Sequence, residues 1–113
     1  MSILSTIFGV KNKSSEKITI LDKSDYAKAI ENKVQLVDVR TPSEYNNGHI
    51  KKAINIDYYD PIGFQKAFEK LDKTKPLYIY CRSGARSQKA AHKLVGLGFI
   101  HVYDLKGGYM QWS

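Results

Sequence analysis

Apolar and polar residues follow two alternating patterns along most of the chain. Short runs of apolar, β-branched and aromatic residues, typical of buried strands, occur at 18–21, 34–39, 53–56, 77–80 and 101–105. Between these runs, apolar residues recur three or four positions apart, as on one face of a helix. Helices are therefore predicted at 22–32, from Thr41 onward, at 61–71 and at 85–97, with a final turn that ends at Trp112. This alternation predicts an α/β domain, with a parallel sheet of about five short strands and helices on both faces.

The helix that begins near Thr41 carries a specific start signal. Thr41 is a suitable N-cap residue, Pro42 suits the first helical position, and Glu44 lies three residues after the cap. This spacing is that of a capping box, in which the cap hydroxyl and the third residue's carboxylate satisfy each other's backbone N–H groups. The second predicted strand should therefore lead into a helix through a very short loop.

Residues 1–17 are predicted to form an arm outside the folded domain, which spans 18–113. The apolar residues of its first ten positions have the spacing of a short amphipathic helix: Ile3, Leu4, Ile7 and Phe8. Residues 11–17 are polar, as in a flexible join. We expect the arm to pack on the domain or to fray, and a weak docking helix for a membrane surface or a partner is the alternative. The arm lacks the features of a secretory signal, which favours the cytoplasm.

Composition and charge narrow the function classes. The 113 residues suffice for one compact domain, and 42% hydrophobic with 26% charged residues is ordinary for a globular chain. No apolar run approaches the roughly 20 residues needed to cross a bilayer, so no transmembrane segment is predicted. The net charge is +7, but 15 of the 18 basic residues are lysines spread along the chain, without a basic stripe interleaved with aromatics. Nucleic-acid binding is therefore not expected, and the charge better suits the attraction of a small anion.

The single cysteine, Cys81, is the most informative residue. It has no partner for an internal disulfide, and it directly follows the fourth predicted strand, where ligands bind in open α/β sheets. The loop from Cys81 to Ser87 contains two of the three arginines, Arg82 and Arg86, and Gly84 gives it the backbone freedom for a tight turn. We expect the N–H groups of this loop, at the start of a helix, to surround the sulfur and to favour its thiolate. A buried structural cysteine is the alternative.

Three segments of the chain together resemble the rhodanese family of sulfurtransferases. They are DVRTPSEYNNGHIKKAINI at 38–56, CRSGARS at 81–87 and DLKGGYMQW at 104–112, in the family's order and at its usual spacing. The resemblance extends over nearly all of the chain from residue 18 and is to the single-domain type. Lys52 stands where the family often has Gly, and Asp57 where it often has Pro. Both lie away from Cys81 in sequence, so they bear on local backbone shape more than on chemistry.

The resemblance implies a sulfurtransferase that works through a persulfide on the catalytic Cys81. The thiolate would take the outer sulfur of a small anionic donor such as thiosulfate. A thiophilic acceptor, either cyanide in vitro or a thiol or protein, would then remove it, without a cofactor or a metal. The donor would bind to the loop residues after the cysteine: Arg82, Ser83, Gly84, Ala85, Arg86 and Ser87. Arg82 and Arg86, the latter expected at an exposed helix start, would attract and orient a dianion.

Asp38, Arg40 and Glu44 are expected to support the site. They surround the end of the second predicted strand and the start of the next helix, where they could form one ion-pair cluster that holds this connection near Cys81. A direct role in substrate binding is the alternative. The Gly107–Gly108 pair is expected to allow a tight turn beside the same loop.

Two other functions fit parts of the same sequence. Cysteine-dependent phosphatases and arsenate reductases also surround a cysteine with an anion-binding loop, but phosphatase loops of this kind have five residues between Cys and Arg. Four residues separate Cys81 from Arg86, and this tighter loop favours a sulfane sulfur over a phosphoryl group. The other alternative is a module that carries a persulfide or binds a partner protein with little turnover. The retained cysteine argues against a purely non-catalytic module.

Overall fold

The structure of the protein is a computed structural model that describes residues 16–112. Five strands form its centre: β1 (Ile18–Leu21), β2 (Gln35–Asp38), β3 (Ile54–Asn55), β4 (Leu77–Tyr80) and β5 (Val102–Leu105). They lie in the order β1-β5-β4-β2-β3, and every neighbouring pair is parallel. The described residues also form five helices: α1 (Lys23–Ala29), α2 (Pro42–Asn46), α3 (Pro61–Phe68), α4 (Ala85–Gly96) and α5 (Gly108–Trp112). The α/β fold predicted from the sequence is confirmed.

Each face of the sheet is covered by its own apolar cluster. Successive strand residues point to opposite faces, so Leu36 and Tyr78 belong to one cluster while Val37 and Ile79 belong to the other. Helices α3 and α4 cover the second face with the side chains of Phe64, Phe68, Ala90, Ala91 and Leu94. Helix α1 covers the first face through Tyr26, against which Trp112 of α5 packs edge-on. Because the central strands are largely buried on both faces, their sequences lack a regular alternation of apolar and polar residues.

Helices α1 and α3 end earlier than the apolar spacing predicts, at Ala29 and Phe68. Beyond these ends the chain continues in tight turns. The Asn32 N–H donates to the Ala29 carbonyl at 3.4 Å, and the Leu71 N–H donates to the Phe68 carbonyl at 3.0 Å. The spacing of apolar residues therefore persists for a turn after the regular helix has stopped. Strand β3 is half as long as predicted, and it lies at the sheet edge, where short strands are common.

The arm predicted at the start of the chain lies almost entirely outside the described residues, which begin at 16. Its amphipathic spacing and its boundary with the domain therefore stay predictions. Within residues 16–112, no helix combines the length and the apolar content that a bilayer crossing requires.

Candidate active site

Cys81 is the first residue after β4, at the carboxyl end of the sheet. In β4, Leu77 and Ile79 face α3 and α4, and Cys81 continues this alternation, so its side chain lies on the same face. The residue is only 1% exposed. The chain then turns through residues 82–84 into α4. The strand and the helix thus fix the sulfur between them.

The loop after Cys81 and the first turn of α4 direct backbone N–H groups at the sulfur. The backbone N–H groups of Gly84 and Ser87 donate to Sγ at 3.1 and 3.3 Å, and the Cys81 thiol donates to the Ser87 hydroxyl oxygen at 3.3 Å. Gly84, the N-cap of α4, has a φ of +109°, which residues with side chains rarely adopt. Because these N–H groups and the start of α4 carry partial positive charge, they stabilise negative charge on the sulfur. Cys81 is therefore buried, yet two backbone N–H groups donate to its sulfur.

Helix α5 holds the same loop from outside. Its Tyr109 N–H donates to the Cys81 carbonyl at 2.8 Å, and its Met110 N–H donates to the Arg82 carbonyl at 3.0 Å. These N–H groups lie in the first turn of α5 and have no partner within the helix, so the loop carbonyls satisfy them. Gly108 allows the close approach, since a Cβ there would lie 2.5 Å from the Arg82 carbonyl and the residue has a φ of +64°. The tight turn expected at Gly107–Gly108 is present and sets the position of the loop.

Arg86 pairs with Glu44 of α2. Its two terminal nitrogens donate to Oε1 and Oε2 of Glu44 at 2.7 and 2.9 Å, and its guanidinium lies 5.2 Å from the centre of the Tyr59 ring. The hydrogen bonds from Arg86 are the main reason that the pKa of Glu44 falls to about 2. The side chain of Arg86 is 18% exposed, so this residue is more covered than expected, although Ala85 at the helix start is exposed. Glu44, which lies 42 positions earlier in the sequence, and the ring of Tyr59 cover this arginine.

Asp38 and Arg40 form a second, separate ion pair. The Arg40 guanidinium donates to both Asp38 carboxylate oxygens, at 2.7 to 3.0 Å, and to the Gly48 carbonyl at 2.7 Å. It also lies 4.4 Å from the centre of the Tyr109 ring of α5. The single cluster of Asp38, Arg40 and Glu44 predicted from the sequence is therefore wrong. The capping box turns Glu44 back toward Thr41 and Arg86, while Arg40 is already occupied by Asp38 and Gly48.

Arg82 is the exposed cation of the loop. It lines an open cavity of about 300 Å³ together with residues of α2, α5 and the segments beside them: Arg40, Glu44, Asn47, Gly48, Tyr109 and Met110. Ser83 and Ala85 are also exposed, while Ser87 is buried against the sulfur. In the described part of the chain, Arg82 makes no ion pair, in contrast to Arg86. The two arginines that the sequence placed together thus differ in their electrostatic surroundings.

Asp104 of β5 is a buried carboxylate that the sequence analysis missed. It is 1% exposed, and its Oδ2 accepts a hydrogen bond of 2.7 Å from Gln88 of α4, one residue after Ser87. Burial raises the pKa of Asp104 to about 6, although hydrogen bonding from Gln88 opposes the shift. The strand alternation was a usable signal, because Asp104 is two residues from the buried Val102 and faces the same side. It lies under the helix that supplies the donors to Cys81.

Comparison with known proteins identifies the family. Residues 22–113 match the model of the rhodanese-like domain, a stretch that includes Cys81, its loop and both ion pairs. The chain belongs to the rhodanese-like family. Within residues 16–112 of this family member, no group of three or more His, Cys, Asp or Glu side chains comes together in a way that could hold a metal ion.

Relatives of this rhodanese-like chain include both small and larger proteins. It is 39% identical over 79 residues to the thiosulfate sulfurtransferase GlpE of Shewanella oneidensis, covering 70% of this chain and 75% of GlpE. It is 41% identical over 103 residues to the tRNA uridine(34) hydroxylase of Pelagibacter ubique, covering 90% of this chain but only 33% of the hydroxylase. The chain thus spans about a third of that longer relative.

A solved structure shows the same fold. The rhodanese-related protein of Thermoplasma volcanium superposes with a TM-score of 0.72 at 28% identity, covering 83% of this chain and 89% of that one. The five-stranded parallel sheet with helices on its faces is therefore that of the rhodanese-like fold.

Proposed function

We propose that this rhodanese-like protein is a sulfurtransferase that moves a sulfane sulfur from thiosulfate, or a related donor, to a thiophilic acceptor through a persulfide on Cys81. The observation that carries the proposal is the pair of backbone N–H groups, of Gly84 and Ser87, directed at Sγ from 3.1 and 3.3 Å. Donors in these positions stabilise a thiolate, and they equally suit the negative charge of a persulfide. The relative named thiosulfate sulfurtransferase GlpE supports the same reaction class.

In the first step, the Cys81 thiolate attacks the outer sulfur of thiosulfate. A new S–S bond forms to Cys81 as the S–S bond of the donor breaks, and sulfite leaves with the electron pair and two negative charges. One negative charge remains on the outer sulfur of the Cys81 persulfide. Sulfite is a good leaving group that needs no proton, so the absence of a histidine beside Cys81 in sequence is no obstacle.

In the second step, a thiophilic acceptor attacks the outer persulfide sulfur. Cyanide gives thiocyanate and returns the Cys81 thiolate, so charge and electrons balance without an external oxidant or reductant. A thiol or a protein acceptor would take the sulfur in the same way, with the thiolate as leaving group. A free thiol such as Cys81 persists in a reducing compartment, and the proposal therefore includes a cytoplasmic location.

The charges around the loop suggest distinct roles for its arginines. Arg82 is exposed and beside an open cavity, where it would attract an anionic donor. Arg86 is paired with Glu44 and would position the loop more than it would bind a free anion. The remaining loop residues would shape the site through their backbone.

The experiment is thiocyanate formation from thiosulfate and cyanide, combined with the intact mass of the protein. We expect the native protein to gain one sulfur atom after thiosulfate treatment and to lose it on addition of a reducing thiol. Cys81→Ser should abolish both signals while circular dichroism shows an unchanged fold. Comparable activity in Cys81→Ser would remove the cysteine from the mechanism. Robust hydrolysis of an aryl phosphate by the native protein would instead favour the hypothesis of a cysteine-dependent phosphatase.

A further inference from the structure

The Glu44–Arg86 pair places one negative and one positive charge beside the Cys81 loop. Arg86 lies in the first turn of α4, and its pKa is raised chiefly by hydrogen bonding to Glu44, with a smaller contribution from the charge of Cys81. Arg86 also directly precedes Ser87, whose N–H lies 3.3 Å from Sγ, so it stands at the edge of the sulfur's surroundings. Glu44 both accepts from this guanidinium and lines the same cavity as Arg82.

The pair changes what the site offers to an incoming anion. Both oxygens of Glu44 are occupied by Arg86, and Glu44 is ionised at neutral pH because its pKa is about 2. A dianion that approaches Cys81 thus meets an Arg86 whose positive charge is neutralised by the Glu44 carboxylate. Each added negative charge on the donor increases its attraction to Arg86 and its repulsion from Glu44 in the same proportion, so the pair gives a dianion less advantage than an unpaired arginine would.

We infer that Glu44 is a specificity-determining residue, which acts through Arg86 to reduce the advantage of dianionic sulfur donors over monoanionic ones. The inference rests on the proposed sulfur transfer at Cys81 and adds to it the charge class of the preferred donor. It also explains why the loop carries two arginines but leaves only Arg82 unpaired in the described part of the chain.

A single substitution, Glu44→Gln, isolates the charge. Glu44 also serves the capping box of α2, where its Oε1 accepts from the N–H and the hydroxyl of Thr41, both at 3.1 Å. Glutamine is an accepted residue at this position of a capping box, because its amide oxygen can accept the same bonds. The variant therefore retains the cap and removes the negative charge beside Arg86. Glu69→Gln is the matched control, since it removes the carboxylate of an ion pair with Lys73 elsewhere on the surface.

The donors are chosen as a matched pair that differs by one charge. Thiosulfate is a dianion and methanethiosulfonate a monoanion, and each presents an outer sulfur bonded to an oxidised sulfur. The Cys81 thiolate takes the outer sulfur from either one, and sulfite or methanesulfinate leaves with the electron pair. At constant ionic strength, we expect Glu44→Gln to raise the ratio of kcat/KM for thiosulfate over methanethiosulfonate about five- to tenfold, mainly through a lower KM for thiosulfate.

A second measurement needs no turnover. Sulfate is an unreactive dianion, like thiosulfate in charge, and methanesulfonate is an unreactive monoanion, like methanethiosulfonate. Each should protect Cys81 from alkylation by iodoacetamide when it binds at the loop. Glu44→Gln should improve protection by sulfate more than by methanesulfonate, and Glu69→Gln should leave both unchanged. An unchanged donor ratio, or equal losses with both donors, would overturn the specificity role. If neither donor loads the native protein, the proposed function fails, and the protection arm still decides whether Glu44 selects by charge.

Discussion

Replacing Asp104 by asparagine should remove a pH-dependent loss of stability. In the folded protein, burial under α4 raises the pKa of this carboxyl from an ordinary 3.8 to about 6. A raised carboxyl pKa means that the folded state holds the proton more tightly than the unfolded chain does. The contribution of this group to the free energy of unfolding is therefore greatest below pH 4 and falls as pH rises through about 6. A shift of about two units corresponds to about 3 kcal/mol.

The assay is urea unfolding of the native protein and of Asp104→Asn across pH 4 to 8. The asparagine amide can still accept from Gln88, but its NH₂ group is buried where Asp104 Oδ1 has no hydrogen-bond partner, so the variant carries a constant cost. The change of the stability difference with pH, rather than its size at any one pH, therefore reports the titration of the carboxyl. We expect this difference to shift by about 2 kcal/mol in favour of the variant between pH 4 and pH 7, because part of the full shift has already occurred at pH 4.

Other titrating groups, including Glu44, are the same in both proteins and cancel in this comparison. Asp25→Asn, which removes a solvent-exposed carboxylate of α1, is the control and should show no such pH-dependent gain. Parallel curves for the native protein and Asp104→Asn would refute the reasoning, since they would mean that the buried carboxyl titrates alike in the folded and unfolded states.

Two further substitutions test the supports of the loop. Gly108→Ala should destabilise the protein by about 1 to 3 kcal/mol, because its Cβ would meet backbone at 2.5 Å at a left-handed φ. Gly96→Ala, whose Cβ would have open space, should be neutral or slightly stabilising in the same denaturation assay, and equal losses would contradict the packing argument. Arg40→Ala should cost about 3 to 5 kcal/mol, because it leaves the buried Asp38 carboxylate unpaired. Lys73→Ala, which breaks a surface pair, should cost under about 1 kcal/mol, and similar losses in both would argue against a buried charge.

Local patterns predicted the framework well. The strand run 77–80 and the helix start after Gly84 placed Cys81 at the carboxyl end of a strand, and the structure has the same element bounds there. The capping box at Thr41 and Glu44 was equally readable, because each of its bonds joins residues three positions apart. Such features depend on neighbouring residues along the chain, which a sequence displays directly.

Long-range pairing could not be predicted in the same way. The sequence pattern groups Glu44 with Arg40, which lies four positions earlier, whereas in the structure Glu44 pairs with Arg86. The choice depends on the sheet order, which brings β2 beside β4 and thus α2 beside the Cys81 loop. The position of Tyr59 over Arg86 follows from the same arrangement, and no periodic signal precedes it.

Helix α5 has a consequence for the time at which the protein becomes chemically competent. Two of its N–H groups hold the carbonyls of Cys81 and Arg82, so the loop gains its full support only when residues 108–110 have packed against it. These residues follow Cys81 along the chain, so they are synthesised after it. During that interval the thiol lacks its folded surroundings and is open to stray oxidation. The surroundings that favour a thiolate at Cys81 are therefore complete only after residues 108–110 have been added, and the sulfur is more open to oxidation before that point.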